Sequence, residues 1–268
     1  MSRRAGTPQI VAALPVDAGQ ARFAPEELSA WGFGGVELYR WQLAPMPGPA
    51  RSGLREGLKR AGLPVAVISS ADEAGEGASL DAVQEAFEMA RFFGAEGVVT
   101  TAPLRGPGAR SIDDSQAAAG WLKSAVALAE QSRLPLLIEN RPGTRAAASL
   151  DFRQFIGQID SPWLGVAFNP AGFVALREHP FLTAFMPGRL KSRMQLLRIR
   201  DAAFEDGGDA RVNDGNAEIA ELVSAALARS YSGYFGIGTS HASLEDVRLA
   251  LEDFRRLLAD LGLESSVG

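Results

Sequence analysis

The 268 residues carry 27 Lys+Arg against 32 Asp+Glu, a formal charge of -5, with 46% hydrophobic residues and no cysteine. Disulfides, thiolate metal sites and a cysteine nucleophile are thereby excluded, and an acidic chain lacks the counterion-release drive that dominates nucleic-acid affinity. A chain of this length matches one α/β barrel, so a single domain over residues 1–268 is expected.

No stretch reaches the roughly 18 uninterrupted apolar residues of a membrane span. The apolar run at 10–14, behind Arg3 and Arg4, is shorter than a signal core and is broken by Pro15. The expected setting is cytoplasmic, with no membrane and no nucleic acid among the partners. Association into a homo-oligomer stays open.

Short runs rich in Val, Ile, Leu and Phe alternate with longer amphipathic segments, the pattern of buried parallel strands joined by crossover helices. Eight such runs fall at 9–14, 35–38, 64–69, 97–101, 135–139, 164–168, 196–200 and 234–238. Between them, Pro25 suits a first helical position and is followed by Glu26 and Glu27, which favour the positive end of a helix dipole. Gly32, Gly62 and Gly94 each close a helical run ahead of a strand, where glycine takes the left-handed conformation readily. Segment 82–93 sets Val83, Phe87, Ala90 and Arg91 at helical spacing, and 117–128 does so with Trp121, Ala125 and Leu128, so both read as core-facing helices. The sixth unit is the weakest, because 181–191 contains Pro187 and Gly188 and predicts a short or broken helix. The polar, glycine-rich stretch 201–215 reads as a long loop over the barrel mouth. Ser243 with Asp246 predicts a capping box that opens the last helix.

Eight β/α units at intervals of about 32 residues, with no linker between them, predict a closed (β/α)8 TIM barrel. Active sites of that fold lie at the carboxyl ends of the strands. Those ends offer Glu37, Tyr39 and Arg40; Ser69 and Ser70; Thr100 and Thr101; Glu139, Asn140 and Arg141; Asn169; Arg198, Arg200 and Asp201; and Thr239, Ser240 and His241. A carboxylate directly after Leu136-Leu137-Ile138 sits at the edge of a buried layer and needs a partner to stay ionised. Glu139 is thus the residue most in need of explanation.

Four motifs resemble one family. Trp31-Gly32-Phe33-Gly34-Gly35-Val36-Glu37-Leu38 is similar to its "GFdGVEL" turn and strand, and Leu136-Leu137-Ile138-Glu139-Asn140-Arg141-Pro142-Gly143-Thr144 to its "LLLENhPGT". Gly165-Val166-Ala167-Phe168-Asn169-Pro170-Ala171 resembles "GvnFDPAn", and Leu197-Arg198-Ile199-Arg200-Asp201-Ala202 resembles "iHvKDa". In that order they identify the chain as a member of the xylose isomerase-like TIM barrels, the sugar phosphate isomerase/epimerase superfamily. The resemblance implies a divalent metal held by Glu after strand 5, Asp after strand 6, His on strand 7 and Glu at the end of strand 8. Only Glu139 matches: the other three positions read Asn169, Arg198 and Gly238.

Arginine does not deprotonate to become a ligand, and one carboxylate beside an amide and a guanidinium leaves no net negative charge for a hard cation. The expectation is that Arg198 replaces the ion, pairs with Glu139 and keeps the mouth neutral, and that no cofactor is needed. A unit cation at about 4 Å is worth roughly 4 kcal/mol of attraction at an effective dielectric near 20, before desolvation is subtracted. The alternative keeps one Mn, Mg or Zn ion on Glu139 and Asn169, with help from His241 or Asp201. In the family, carboxylates after strands 5 and 8 share the proton transfers; Gly238 removes one, which puts the family reaction in doubt.

The mouth therefore reads as a site for a small carbohydrate or sugar phosphate. Glu139 and His241 are the candidates for chemistry. Glu37, Ser69, Thr101, Asn140, Arg141, Asn169, Arg198, Arg200, Asp201, Thr239 and Ser240 are the candidates for binding. Arg198 serves either as a relic of the metal site or as a clamp for a hydroxyl or carboxylate, and Arg200 and Asp201 either as ligand contacts or as a local salt bridge. Residues 236–240 ahead of a helix offer a possible anion pocket, while 105–110 reads as a solvated loop and His179 as a surface residue. The rival readings are an active metal-dependent isomerase/epimerase and a non-catalytic barrel whose own loops fill the mouth. No Gly-x-Ser-x-Gly elbow, Walker loop or dinucleotide fingerprint appears.

Overall fold

A computed structural model describes residues 7–13, 16–17, 20–21, 24–70, 79–105, 112–239 and 241–268. Eight parallel strands close into a barrel: β1 (Gln9–Ala13), β2 (Gly35–Tyr39), β3 (Val65–Ser69), β4 (Gly97–Thr101), β5 (Leu136–Glu139), β6 (Leu164–Phe168), β7 (Met194–Arg198) and β8 (Tyr234–Gly238). Each pairs with its neighbours in sequence, and β8 returns to β1 in the register Gln9 with Tyr234 through Ala13 with Gly238. Strands β3 and β5 begin one residue later than the hydrophobic runs imply. Pro64 and Pro135 have no N–H for the ladder, although their carbonyls still accept from Val36 and Val98.

The period-two alternation of the strands sorts the core into two regions. Val36, Leu38, Leu136, Ile138, Leu164, Val166, Phe168, Phe235 and Ile237 pack outward under the helices. Val11, Ala66, Val67, Val99, Leu137, Ala167 and Leu196 fill the barrel's inside. Further along β2 to β7, the inward positions turn polar, and this is where the site begins. Register shifts at Val36/Glu37 in the β2–β3 pair and at Val166/Ala167 in the β6–β7 pair fall close to that change of composition. Such irregularities re-aim side chains near sites.

The helices start and stop on the signals in the sequence. Pro25 opens Pro25–Ala30, Ser79 caps Leu80–Phe93 by accepting from the Ala82 amide, and Ser243 with Asp246 forms a full capping box on Leu244–Asp260. Gly32, Gly62 and Gly94 all take positive φ. Val83, Phe87 and Ala90 are buried as their spacing predicts, whereas Arg91 faces solvent. The second core-facing helix runs further than 117–128, over Ile112–Ser132. The sixth unit is broken as expected, into a π-helical turn Phe181–Phe185 and a single turn Leu190–Arg193. No helix among the described residues is long and apolar enough to cross a membrane.

Strand β7 is displaced from its predicted span of 196–200. It begins at Met194, directly after the short helix, and ends at Arg198, because Asp201 draws the chain into the following loop. The Asp201 carboxylate, 2% exposed, accepts from the amides of Ala202, Asn213, Gly215 and Ala217 at 2.8–3.0 Å. A two-stranded hairpin, Asp201–Ala202 with Asp209–Ala210, results. Arg211 then fastens the loop to the last helix through two bonds to Asp253.

Asp201→Ala should therefore release the loop before it unfolds the barrel. The expected result is a loss of roughly 3 kcal/mol in urea unfolding, on the scale of charge-assisted hydrogen bonds. Amide exchange should accelerate at Asn213, Gly215 and Ala217 while β1–β8 stay protected. Unchanged exchange at those amides would show that the carboxylate does not organise the loop.

Candidate functional site

The polar layer above the apolar barrel interior is built on Arg198, which is 5% exposed. Its Nη1 and Nη2 donate to Glu37 on β2, the latter at 2.8 Å, while Nε and Nη2 donate to Oε2 of Glu139 on β5 at 3.2 and 2.7 Å. Four N–H groups are needed for these bonds, of the five that a guanidinium has. Gly236 on the adjacent strand makes room, since a Cβ there would stand 3.4 Å from Nη1. Ser69 donates to Glu37 Oε1 at 2.5 Å and Asn169 Nδ2 donates to Glu139 Oε1 at 2.9 Å. Five strands, β2, β3, β5, β6 and β7, are thereby joined at one level.

Glu37 was not foreseen as a partner of Arg198. It is 0% exposed and lies beneath the cleft with both oxygens engaged, so it supports the floor instead of lining it. With it, the formal charge of the cluster is -1, where pairing with Glu139 alone would leave the mouth neutral. Glu139, with 16% of its side chain exposed, is the carboxylate that reaches the cleft.

Above the floor lies a cleft of about 280 Å³. Of the residues singled out from sequence, Ser69, Thr101, Glu139, Arg141, Asn169, Arg198, Arg200 and Thr239 line it. Others are placed elsewhere. Asn140 is fully buried and spends its amide on both backbone groups of Asn169, at 2.7 and 2.8 Å, which ties the end of β5 to that of β6. Asp201 is turned into its own loop, and Arg200 pairs with Asp209 at 2.9 Å, so the local salt bridge exists with a different acid. His241 is exposed, with its ring 5.9 Å from that of Trp41, and is not among the cleft residues. Ser240 and residues 106–110 lie outside the described residues. His179 is exposed as expected, 3.6 Å from Glu218 and edge-on to Phe204. The turn 236–240 gains no open helix terminus, because the capping box fills it and Glu245 and Asp246 occupy the first turn.

Tyr39 is the functional candidate that sequence reasoning passed over. It lies two residues beyond Glu37 on the same inward face, is 7% exposed and lines the cleft. Burial, then the carboxylates of Glu37 and Glu139, push its phenol well above the ordinary value of 10.0, against the pull of Arg198 and Arg200. Arg198 moves the opposite way in charge terms. Burial disfavours its cation, but Glu139 and Glu37 outweigh that and hold it protonated.

The donor set does not fit a divalent ion. A hard cation wants several anionic or carbonyl oxygens around one point. Here a guanidinium sits between the two carboxylates, and no group of three or more His, Cys, Asp or Glu among the described residues could hold an ion. Gly238, at φ +97°, explains why a carboxylate does not simply return on β8: a Cβ would collide with the Ala13 carbonyl and stand 2.8 Å from Val247 Cγ2. A glutamate introduced at position 238 would therefore require the end of β1 and the last helix to shift.

The family model described as xylose isomerase-like TIM barrel matches residues 25–264. Among solved structures, a D-tagatose 3-epimerase-like protein superimposes with a TM-score of 0.79 at 15% identity, covering 96% of this chain and 99% of that one. A xylose isomerase-like TIM barrel protein from Mycobacterium smegmatis in complex with magnesium gives 0.71 at 17% identity, with 99% of both chains covered. The 3-keto-D-glucoside 4-epimerase YcjR from E. coli, in its apo form, gives 0.66 at 15%, covering 92% and 98%. At these identities the likeness is one of fold. No match was found among curated protein sequences.

Two outcomes test the floor. Arg198→Met leaves buried carboxylates without their cation and should cost about 3–5 kcal/mol in urea unfolding. Adding Glu37→Gln to it should recover much of the loss, and strictly additive losses would refute the coupling. Tyr39, whose folded pKa is raised, binds its proton more tightly when folded. Stability is unaffected below about pH 10 and falls as pH rises beyond it. Tyr39→Phe should shift the alkaline unfolding midpoint upward, and an unmoved midpoint would contradict the burial of the phenol.

Proposed function

Because the chain belongs to the xylose isomerase-like TIM barrel family, we propose that its mouth binds a small carbohydrate or sugar phosphate and that Arg198 stands where the family's divalent ion would be held. The observation that carries this reading is the guanidinium bridging Glu37 and Glu139. A cation that repels another cation, and that spends four donors on carboxylates, fills the role of structural charge and leaves neither a metal site nor an open anion clamp. No step through a metal is derived from this arrangement. Catalysis by the family's paired carboxylates is doubtful, since β8 offers Gly238 and no acid.

Two further features support binding. The cleft is near the lower end of the roughly 300–1,000 Å³ span of ligand pockets, a scale suited to a monosaccharide. The epimerases among the similar structures act on sugars by their names, in keeping with this class of ligand.

Protein purified from manganese-supplemented medium should carry a metal stoichiometry near zero by plasma emission spectrometry. One firmly held ion per chain would sink the proposal. Thermal-shift screening against ketoses, aldoses, inositols and their phosphates should raise Tm for at least one compound, because only ligands of the native state stabilise it.

A further inference from the structure

The floor of the cleft is nearly saturated with hydrogen bonds, and two groups depart from that. Tyr39 and Thr101 are 7% and 4% exposed, both line the cleft, and neither side-chain hydroxyl has a hydrogen-bond partner among the described residues. Their neighbours are all engaged: Ser69 with Glu37, Asn169 with Glu139, and Arg198 with both acids. Thr101 stands directly across from Glu139 in the β4–β5 register, and Tyr39 across from Ser69 in the β2–β3 register. Tyr39, Ser69, Thr101 and Glu139 thus stand on successive strands β2 to β5, with the two hydroxyls interleaved among the engaged groups. Neither is a fully enclosed oxygen, unlike Ser70 Oγ, so both hydroxyls open onto the cleft, and a site that hydrogen-bonds a ligand through such groups discriminates strongly in the ligand's favour.

Resting on the proposed carbohydrate-binding mouth, we infer that Tyr39 and Thr101 are its recognition pair, hydrogen-bonding to oxygens of a neutral polyhydroxylated compound of about monosaccharide size seated against Glu139. Charge selects the neutral class. The charges at the cleft balance, with Glu37, Glu139 and Asp209 against Arg141, Arg198 and Arg200, and both Arg198 and Arg200 are already paired with acids. An anionic group brought onto this floor meets the Glu139 carboxylate, while the Arg198 and Arg200 donors beside it are already engaged. The phenol retains its proton throughout the physiological range and so serves as a donor. Thr101 both donates and accepts.

The test measures binding of fructose and myo-inositol, as neutral probes, and fructose 6-phosphate and glucuronate, as anionic ones, by calorimetry. The wild type, Tyr39→Phe, Thr101→Val and Thr101→Ser are compared. The wild type should bind a neutral probe, with the affinity falling about tenfold or more in Tyr39→Phe and in Thr101→Val and largely kept in Thr101→Ser. Without ligand, Tyr39→Phe should melt at the same temperature as the wild type or higher, because the lost hydroxyl had no protein partner. Undiminished binding by Tyr39→Phe, or binding of the anionic probes alone, would overturn the inference and leave the carbohydrate-binding mouth standing. Should none of the four probes nor any compound of the wider screen bind, the proposed function itself fails. A ligand-free Tm several degrees below wild type would overturn the unpartnered hydroxyl independently of any ligand.

Discussion

The polar end of this barrel is organised by one cation shared between two acids. Arg198 projects from β7 to Glu37 on β2 and Glu139 on β5, strands that are not neighbours in the sheet, so the guanidinium braces the barrel across its interior. Desolvating three charges is expensive, and the arrangement is tolerable because the bonds are numerous and charge-assisted. Ser69 and Asn169 supply the remaining partners. Everything above, including the height of the floor and the room left for a ligand, follows from where this brace lies.

Around it, rigidity is supplied by side chains that never reach the cleft. Asn140 fixes the backbone of Asn169, Asp201 gathers four amides of the loop after β7, and Asp253 anchors that loop through Arg211. The described part of the mouth is thus held in shape by contacts within the protein itself.

Much of this was legible in the sequence, for identifiable reasons. Strand and helix positions came from periodicity and caps, and those signals are local: Pro25, Gly94 and the Ser243–Asp246 box act within a turn of where they stand. The pairing of Arg198 with Glu139 was legible too, because a buried acid demands a counter-charge. What sequence did not reveal was long-range or a matter of orientation. Glu37 as the second acid required knowing that β2 and β7 face each other across the barrel. Asp201 looked like a ligand contact because its role depends on amides 12 to 16 residues downstream. Tyr39 had a readable signal, the inward parity it shares with Glu37, but parity alone does not separate a packed ring from one facing a cleft.

Gly238 sets a limit on what the rim of the barrel can carry. Its left-handed backbone brings the end of β8 against the Ala13 carbonyl, so this corner of the barrel is shaped around the lack of a side chain. Any side chain at this position demands that the ends of β1 and β8 move apart together, so the rim here admits backbone alone.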